Sequence, residues 1–167
     1  MEYRLFKMVD ERDALDSLIV DHYDEIAHNK DKIKLDPDWE RYYELDEAGM
    51  LLCCGAYEDG KLVGYYISFV MPNLHYSRDL FAVCDVVFIL PEYRRGTCGL
   101  RLFKFHEEMC RELGVSVMTM HVKCDNDFSS LMEHLEWKWA EKLFTKCIKE
   151  DSWDAYVERS IDLLENK

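Results

Sequence analysis

Apolar and polar positions change period several times along this chain, and each change marks an element. Residues 3–8, YRLFKM, form a short aromatic-rich run of the kind that opens a sheet. Over 12–29 the apolar residues Leu15, Leu18, Ile19, Tyr23 and Ile26 recur at helical spacing, with acids between them. Pro37 and Asp38 predict the start of a second helix over DWERYYELDEAG, and Gly49 its end. The pattern then shortens to that of strands. Residues 50–58 and 61–71 are strand-like runs joined at Glu58-Asp59-Gly60, and Asp-Gly is a favoured hairpin turn. Pro72 closes the second run.

A loop, NLHYSRD, leads to FAVCDVVFIL at 81–90, an almost unbroken apolar strand that reads as buried on both faces. PEYRRGTCG interrupts it, and a helix over 100–113 follows, closed by Gly114. SVMTMHV reads as another strand, and DNDFSSLMEHL as a short helix capped by Asp125 or Asn126. WKWAEKLFTKCI alternates as a last strand or pair of strands. The expected order is β-α-α-β-β-β-α-β-α-β, a mixed α/β layer. No repeat or linker composition divides it, so 1–150 reads as one domain. In the appendage 151–167, Trp153, Val157, Ile161 and Leu164 share one helical face, which docks on the domain or offers a dimer contact.

Composition narrows the class. A chain of 167 residues with 49% hydrophobic and 13% aromatic content can bury a core and is not disordered. No apolar run reaches the roughly 18–20 residues that span a bilayer. The opening MEYRLFKMVDERDALD lacks the basic-then-apolar plan of a secretory signal. Lys and Arg number 21 against 34 Asp and Glu, a net charge of −13, which argues against nucleic-acid binding through a basic face. Such a surface favours cationic ligands or simple solubility. The seven cysteines form no CxxC pair and no zinc-like spacing with histidine, so no metal is expected. They read as buried, reduced thiols of a cytoplasmic protein. Cys53 and Cys54, adjacent in a strand, point to opposite faces and cannot easily pair.

The chemistry concentrates between Asp85 and Leu113. A buried strand feeds Arg94-Arg95-Gly96-Thr97-Cys98-Gly99, and a helix begins at once. Successive N–H groups in such a turn, with the unpaired N–H groups of the helix's first turn, form an anion cradle. Glycines let a phosphate approach the backbone without meeting a Cβ, and Arg94 or Arg95 can add charge to it. The spacing is neither GxGxxG nor GxxxxGK[ST], so dinucleotide and P-loop readings fit poorly.

This strand–cradle–helix segment, PEYRRGTCGLRLFKFHEEMCRELGV, resembles the pyrophosphate-binding motif of the GNAT superfamily of acetyl-CoA-dependent N-acetyltransferases, Q/R-x-x-G-x-G/A. Arg94 fills its first position and Gly99 its last, while Thr97 stands where the middle glycine is usual. The resemblance covers about 145 residues. It takes in the Asp-Gly hairpin, SVMTMHVK as the fifth strand, and Leu135-Glu136-Trp137 where Leu-Gly-Phe is typical. With His75, Asp85 and PEYRRG it is most similar to GNAT-like proteins encoded by bacteriophages. The resemblance implies a central, mostly antiparallel sheet flanked by helices, with acetyl-CoA as cofactor. It implies that Phe88, Ile89 and Leu90 pair their backbone with the pantetheine arm. Arg94, Arg95, Gly96, Thr97, Cys98, Gly99 and Leu100 then hold the pyrophosphate. The acceptor is the amine of a small molecule or protein, and the chain is a possible homodimer.

Amine acetylation needs a base, because an alkylammonium has a pKa of about 10.4. Asp85 interrupts an apolar strand, where burial raises a carboxyl's pKa and makes it a better base, unless it faces a solvated edge or pairs with Arg78. His75, just upstream, is the second candidate, as base or as the group that orients Asp85. Asp21, Asp24 and Glu25 with Tyr42 and Tyr43 fall where the family shapes its acceptor pocket, although a solvated helix face explains the same residues. The family's usual acid, a tyrosine before Leu-Gly-Phe, is Met132 here; Ser129, Ser130 and His134 are weak substitutes. Cys98 has no local histidine partner and is not expected to act as a nucleophile. Alternatives to an N-acetyltransferase are a non-catalytic acyl-CoA-binding relative and an acidic protein that covers a basic partner surface.

Overall fold

The computed structural model describes residues 1–149, and the appendage 151–167 lies outside them. Its elements are β1 (Glu2–Leu5), α1 (Arg12–Ile26), α2 (Trp39–Glu47), β2 (Leu51–Glu58), β3 (Lys61–Pro72), β4 (Leu80–Ile89), a 3-10 turn (Pro91–Tyr93), α3 (Cys98–Glu112), β5 (Val115–Thr119) and α4 (Ser129–His134). One sheet runs β1-β2-β3-β4-β5. Its first four strands pair antiparallel, and β5 lies parallel to β4. A parallel neighbour needs a long crossover, which α3 supplies. The β2–β3 hairpin turns at Asp59 and Gly60, both with positive φ (51° and 77°), as a two-residue turn between twisted strands requires.

Strand alternation divides the sheet between two cores. Leu52, Cys54, Tyr66, Ala82 and Ile89 face α3, packing on Leu102, Phe103 and Cys110. Leu51, Cys53, Tyr65, Ile67 and Phe88 face Leu15 and Leu18 of α1. Cys53 and Cys54 thus sit in different cores, and both are free thiols. Asp46, buried at the end of α2, accepts from Lys7 Nζ at 2.7 Å and Met8 N–H at 2.9 Å. That clasp ties α2 to the chain leaving β1.

A histidine lies in the α3 core. His106 is 0% exposed, its ring stacked on Tyr66 with centroids 3.6 Å apart. Its Nε2 lies 3.0 Å from Ser68 Oγ. Burial brings its pKa down to about 3, so the ring is neutral.

The structure corrects three expectations. β4 is half-buried over most of its length rather than buried on both faces, with only Ala82, Phe88 and Ile89 fully buried. α4 begins at Ser129 with Phe128 at its N-cap and no side-chain cap, so neither Asp125 nor Asn126 caps it; Asp127 Oδ1 accepts from Ser129 N–H at 2.8 Å. Residues 137–149 form no strand, and Trp139, Leu143, Phe144 and Ile148 are exposed. Alternation makes a strand only where an edge and a face receive it, and among the described residues this segment finds neither. α4 closes with Glu136 at φ 65°, where Glu136 N–H reaches Glu133 O at 3.0 Å and Trp137 N–H reaches Met132 O at 2.9 Å. This is the ending that normally takes glycine. Among the described residues no helix is long and apolar enough to cross a membrane.

Candidate active site

The site begins with one extra residue. In the β3–β4 ladder Ile67 stands opposite Val86 and Ser68 opposite Cys84, which leaves Asp85 as a bulge. A bulge bends its strand and sharpens the local twist. The parallel ladder with β5 stops just before it, at Val83 and Thr119. From Cys84 onward β4 therefore presents an edge without a neighbouring strand, and the two strands part into a cleft. The bulge also puts Asp85 and Val86 together on the side of α1 and α2.

At the end of β4 the chain makes its turn and enters α3. The N–H groups of residues 95–100 donate to no acceptor among the described residues. Gly96 holds φ 73°, and Thr97 at the N-cap offers no side-chain hydrogen bond. Six N–H groups without acceptors thus gather at the positive end of a 15-residue helix, the arrangement an anion cradle requires. A Cβ on Gly99 would lie 3.8 Å from Ile89 Cδ1 and 3.9 Å from Leu131 Cδ2, between β4 and α4. Gly64 lets β3 approach closely from the other side, since a Cβ there would come within 2.8 Å of Phe88 O.

Not every expected residue serves the cradle. Phe88 and Ile89 are buried in opposite cores and Leu90 is half-buried, so what they offer the cleft is backbone. Arg94 is already engaged: its Nε donates to Ile89 O at 2.7 Å, and its two terminal nitrogens grip Glu25 at 2.7 and 2.6 Å. Its guanidinium also lies 5.3 Å from the Phe88 ring centroid. Arg95 and Thr97 are exposed, and Leu100 half-buried. Cys98 is buried, with its carbonyl accepting from the Tyr3 hydroxyl at 3.2 Å. That is no setting for a surface nucleophile.

Asp85 lies on the open edge of β4 and forms no ion pair with Arg78. It is half-buried, and its Oδ2 accepts from the Tyr42 hydroxyl at 2.6 Å. Burial raises its carboxyl above the usual range, and the Tyr42 hydrogen bond pulls it part of the way back. His75 is not brought to it. That residue is exposed in the 73–79 loop, its N–H donating to Asn73 Oδ1 at 2.8 Å. Five residues of β4, about 16 Å at strand rise, separate Leu80 from Asp85.

The structure adds residues that the pattern did not single out. His22 of α1 is buried, stacked on Phe88 at 4.9 Å, with Nδ1 2.9 Å from the Tyr65 hydroxyl. Burial brings it down to about 4 against the opposing pull of Glu25. A histidine at the apolar spacing of α1, four residues after Leu18, was the available signal. Asn126 donates to Glu25 at 2.7 Å, so Glu25 links the chain after β4 to the chain after β5. Arg94 holds the Glu25 carboxyl below its usual pKa. Of the acids grouped with it, Asp24 lies 3.9 Å from Lys30 and Asp21 is exposed. Met132 is buried in the α3 core, so its position offers no acid. Ser129 donates to Asp127, and Ser130 and His134 are exposed. Among the described residues no three His, Cys, Asp or Glu side chains cluster to hold a metal.

With this geometry in hand, likeness to known proteins is informative. The model of the acetyltransferase (GNAT) family matches residues 14–132. No curated protein matches the chain. Among solved structures, ribosomal-protein-alanine N-acetyltransferase from Brucella melitensis biovar Abortus 2308 is 16% identical, covering 90% of this chain and 100% of its own with a TM-score of 0.64. Glucosamine-6-phosphate N-acetyltransferase from Arabidopsis thaliana is 14% identical, covering 89% and 98% with a TM-score of 0.67. A Clostridium acetobutylicum protein described as a predicted acetyltransferase, with acetyl-CoA, is 12% identical, covering 88% and 96% with a TM-score of 0.68. At such identities the likeness is one of fold.

Proposed function

Because the chain belongs to the acetyltransferase (GNAT) family, we propose that it is an acetyl-CoA-dependent N-acetyltransferase that acts on a primary amine. The observation that carries this reading is continuity: an unpaired β4 edge runs from the Asp85 bulge to six free N–H donors at the start of α3. Such a track suits an elongated carrier with an anionic end. Residues 95–100 would hold its pyrophosphate, and the open edge at Phe88, Ile89 and Leu90 its amide-bearing arm. When bound, acetyl-CoA supplies an acyl thioester that a neutral amine attacks directly.

On this reading Asp85 receives the proton that the acceptor's ammonium must lose. Its raised pKa makes it a stronger base than an exposed aspartate. Glu25 fixes Arg94 and Asn126, so it shapes the cleft mouth rather than binding the acceptor. Met132 cannot donate a proton, so this position would supply no acid to the thiol that leaves. The acceptor is the amine of a small molecule or a protein, and the free cysteines fit a reducing, cytoplasmic setting. A second reading, a protein that binds acyl-CoA without turning it over, is favoured by that buried methionine alone.

Calorimetric titration with acetyl-CoA tests the proposal, with Gly99→Glu as the control. Saturable binding in the wild type and none in the variant is expected. Absence of binding by the folded wild type would overturn both cofactor-dependent readings. Chromatographic detection of free CoA over a panel of amines separates them: release that depends on an amine and disappears in Asp85→Asn supports the enzyme.

A further inference from the structure

Asp85 has two carboxylate oxygens, and the protein treats them differently. Oδ2 accepts the Tyr42 hydroxyl at 2.6 Å, reaching across from α2. Oδ1 has no partner among the described residues, and it is not sealed from solvent. Tyr42 is itself tightly placed. Its ring lies 5.9 Å from Trp39, in a narrow apolar crevice also lined by Ile19, Tyr65 and Val86. Asp38 fixes the start of its helix by accepting from Arg41 N–H at 3.0 Å. A half-buried phenol in such a crevice needs an acceptor, and Asp85 is the one it meets.

We propose that Tyr42 is a positioning residue for Asp85: its hydroxyl occupies Oδ2, fixes the plane of the carboxyl group and leaves Oδ1 as the oxygen that meets the acceptor's ammonium. The inference rests on Asp85 as the base. A carboxylate on a bulge lacks the restraint of a regular ladder, and the hydrogen bond from α2 restores it. The bond also favours the charged carboxylate against burial, which keeps the base ready for a proton. The other groups around Asp85 do not do this. Tyr65 from β3, Cys53 from β2 and Cys84 on its own strand are all pushed upward by burial and stay neutral. His22 of α1, neutral as well, meets Tyr65 rather than Asp85.

The test follows the Asp85 carboxyl carbon by NMR in aspartate-labelled protein, free of ligand, in the wild type and in Tyr42→Phe. The pH profile of kcat/KM is measured beside it. Loss of the donor is expected to move the Asp85 midpoint upward by about one pH unit. The acid limb of kcat/KM should follow, more than tenfold lower below the limb, and the high-pH plateau should stay below the wild type's because the carboxyl group has lost its fixed plane, with KM for acetyl-CoA unchanged. Replacing Tyr42 alone by 3-fluorotyrosine, a more acidic phenol, keeps the packing and should move the midpoint downward, even if Tyr42→Phe folds poorly. A midpoint that stays in place with both replacements overturns the inference. A midpoint that moves while the acid limb does not overturns Asp85 as the base, and with it the role assigned to Tyr42, though the hydrogen bond stands.

Discussion

Mild acid should weaken this protein through two histidines that cannot charge in place. His106 is brought to about 3 and His22 to about 4, both chiefly by burial. In the unfolded chain each returns to about 6.5. Below that pH the unfolded chain binds protons that the folded chain refuses, so stability falls as pH drops. Each group costs about 1.4 kcal/mol per pH unit until its folded pKa is reached. At pH 5 that amounts to ~2 kcal/mol for each histidine and ~4 kcal/mol for the pair, against a total of about 5–15 kcal/mol for a domain. Urea unfolding at several values between pH 7.5 and 5 measures the loss. His106→Phe is the comparison, because it retains a ring on Tyr66 and takes no proton. The variant should start less stable, since the Ser68 hydroxyl loses its partner, and then fall about half as steeply. Asp85 acts with the opposite sign, its raised pKa letting the folded chain take that proton first, but it is common to both proteins and cancels in the difference. Parallel loss between pH 6.5 and 5 would refute a neutral, buried His106.

Two further substitutions probe the backbone of the site. Gly64→Ala places a Cβ 2.8 Å from Phe88 O and from Ile89 Cγ1, so β3 and β4 must part where the cradle is anchored. A loss of about 2–3 kcal/mol in urea unfolding and weaker acetyl-CoA binding are expected; stability unchanged within error would show that the contact yields freely. Glu136→Gly relieves a left-handed residue, which costs an L-amino acid about 1–2 kcal/mol, less the entropy that glycine adds to the unfolded chain. The melting temperature should rise by about 2–4 °C, and a fall would contradict the strain argument.

Much of the architecture was legible because it is written in short-range patterns. The Asp59-Gly60 turn, the helix stops at Gly49 and Gly114, and the opposed directions of Cys53 and Cys54 each follow from a few neighbouring residues. The glycine turn that opens α3 was legible for the same reason. The bulge was not, since FAVCDVVFIL is apolar at nearly every position and offers no alternation whose phase could slip. Long-range partners were equally hidden. Arg94 has the motif's spacing, yet it is claimed by Glu25, 69 positions earlier in the chain. Asp85 was recognisable as an acid out of place, but Tyr42 as its donor was not. His75 shows the converse error: nearness in sequence becomes distance in an extended strand.

The bulge has a genetic reading as well. Asp85 is the residue by which β4 exceeds its partner, while Cys84 and Val86 keep regular places in the ladder on either side. A codon deletion at 85 would leave every other side chain of β4 on its present face. The same deletion would take away both the acid and the bend that parts β4 from β5. No base substitution does both. The site is thus a property of chain length at one position, open to gain or loss in a single insertion event that leaves the cores on both sides of the sheet unaltered.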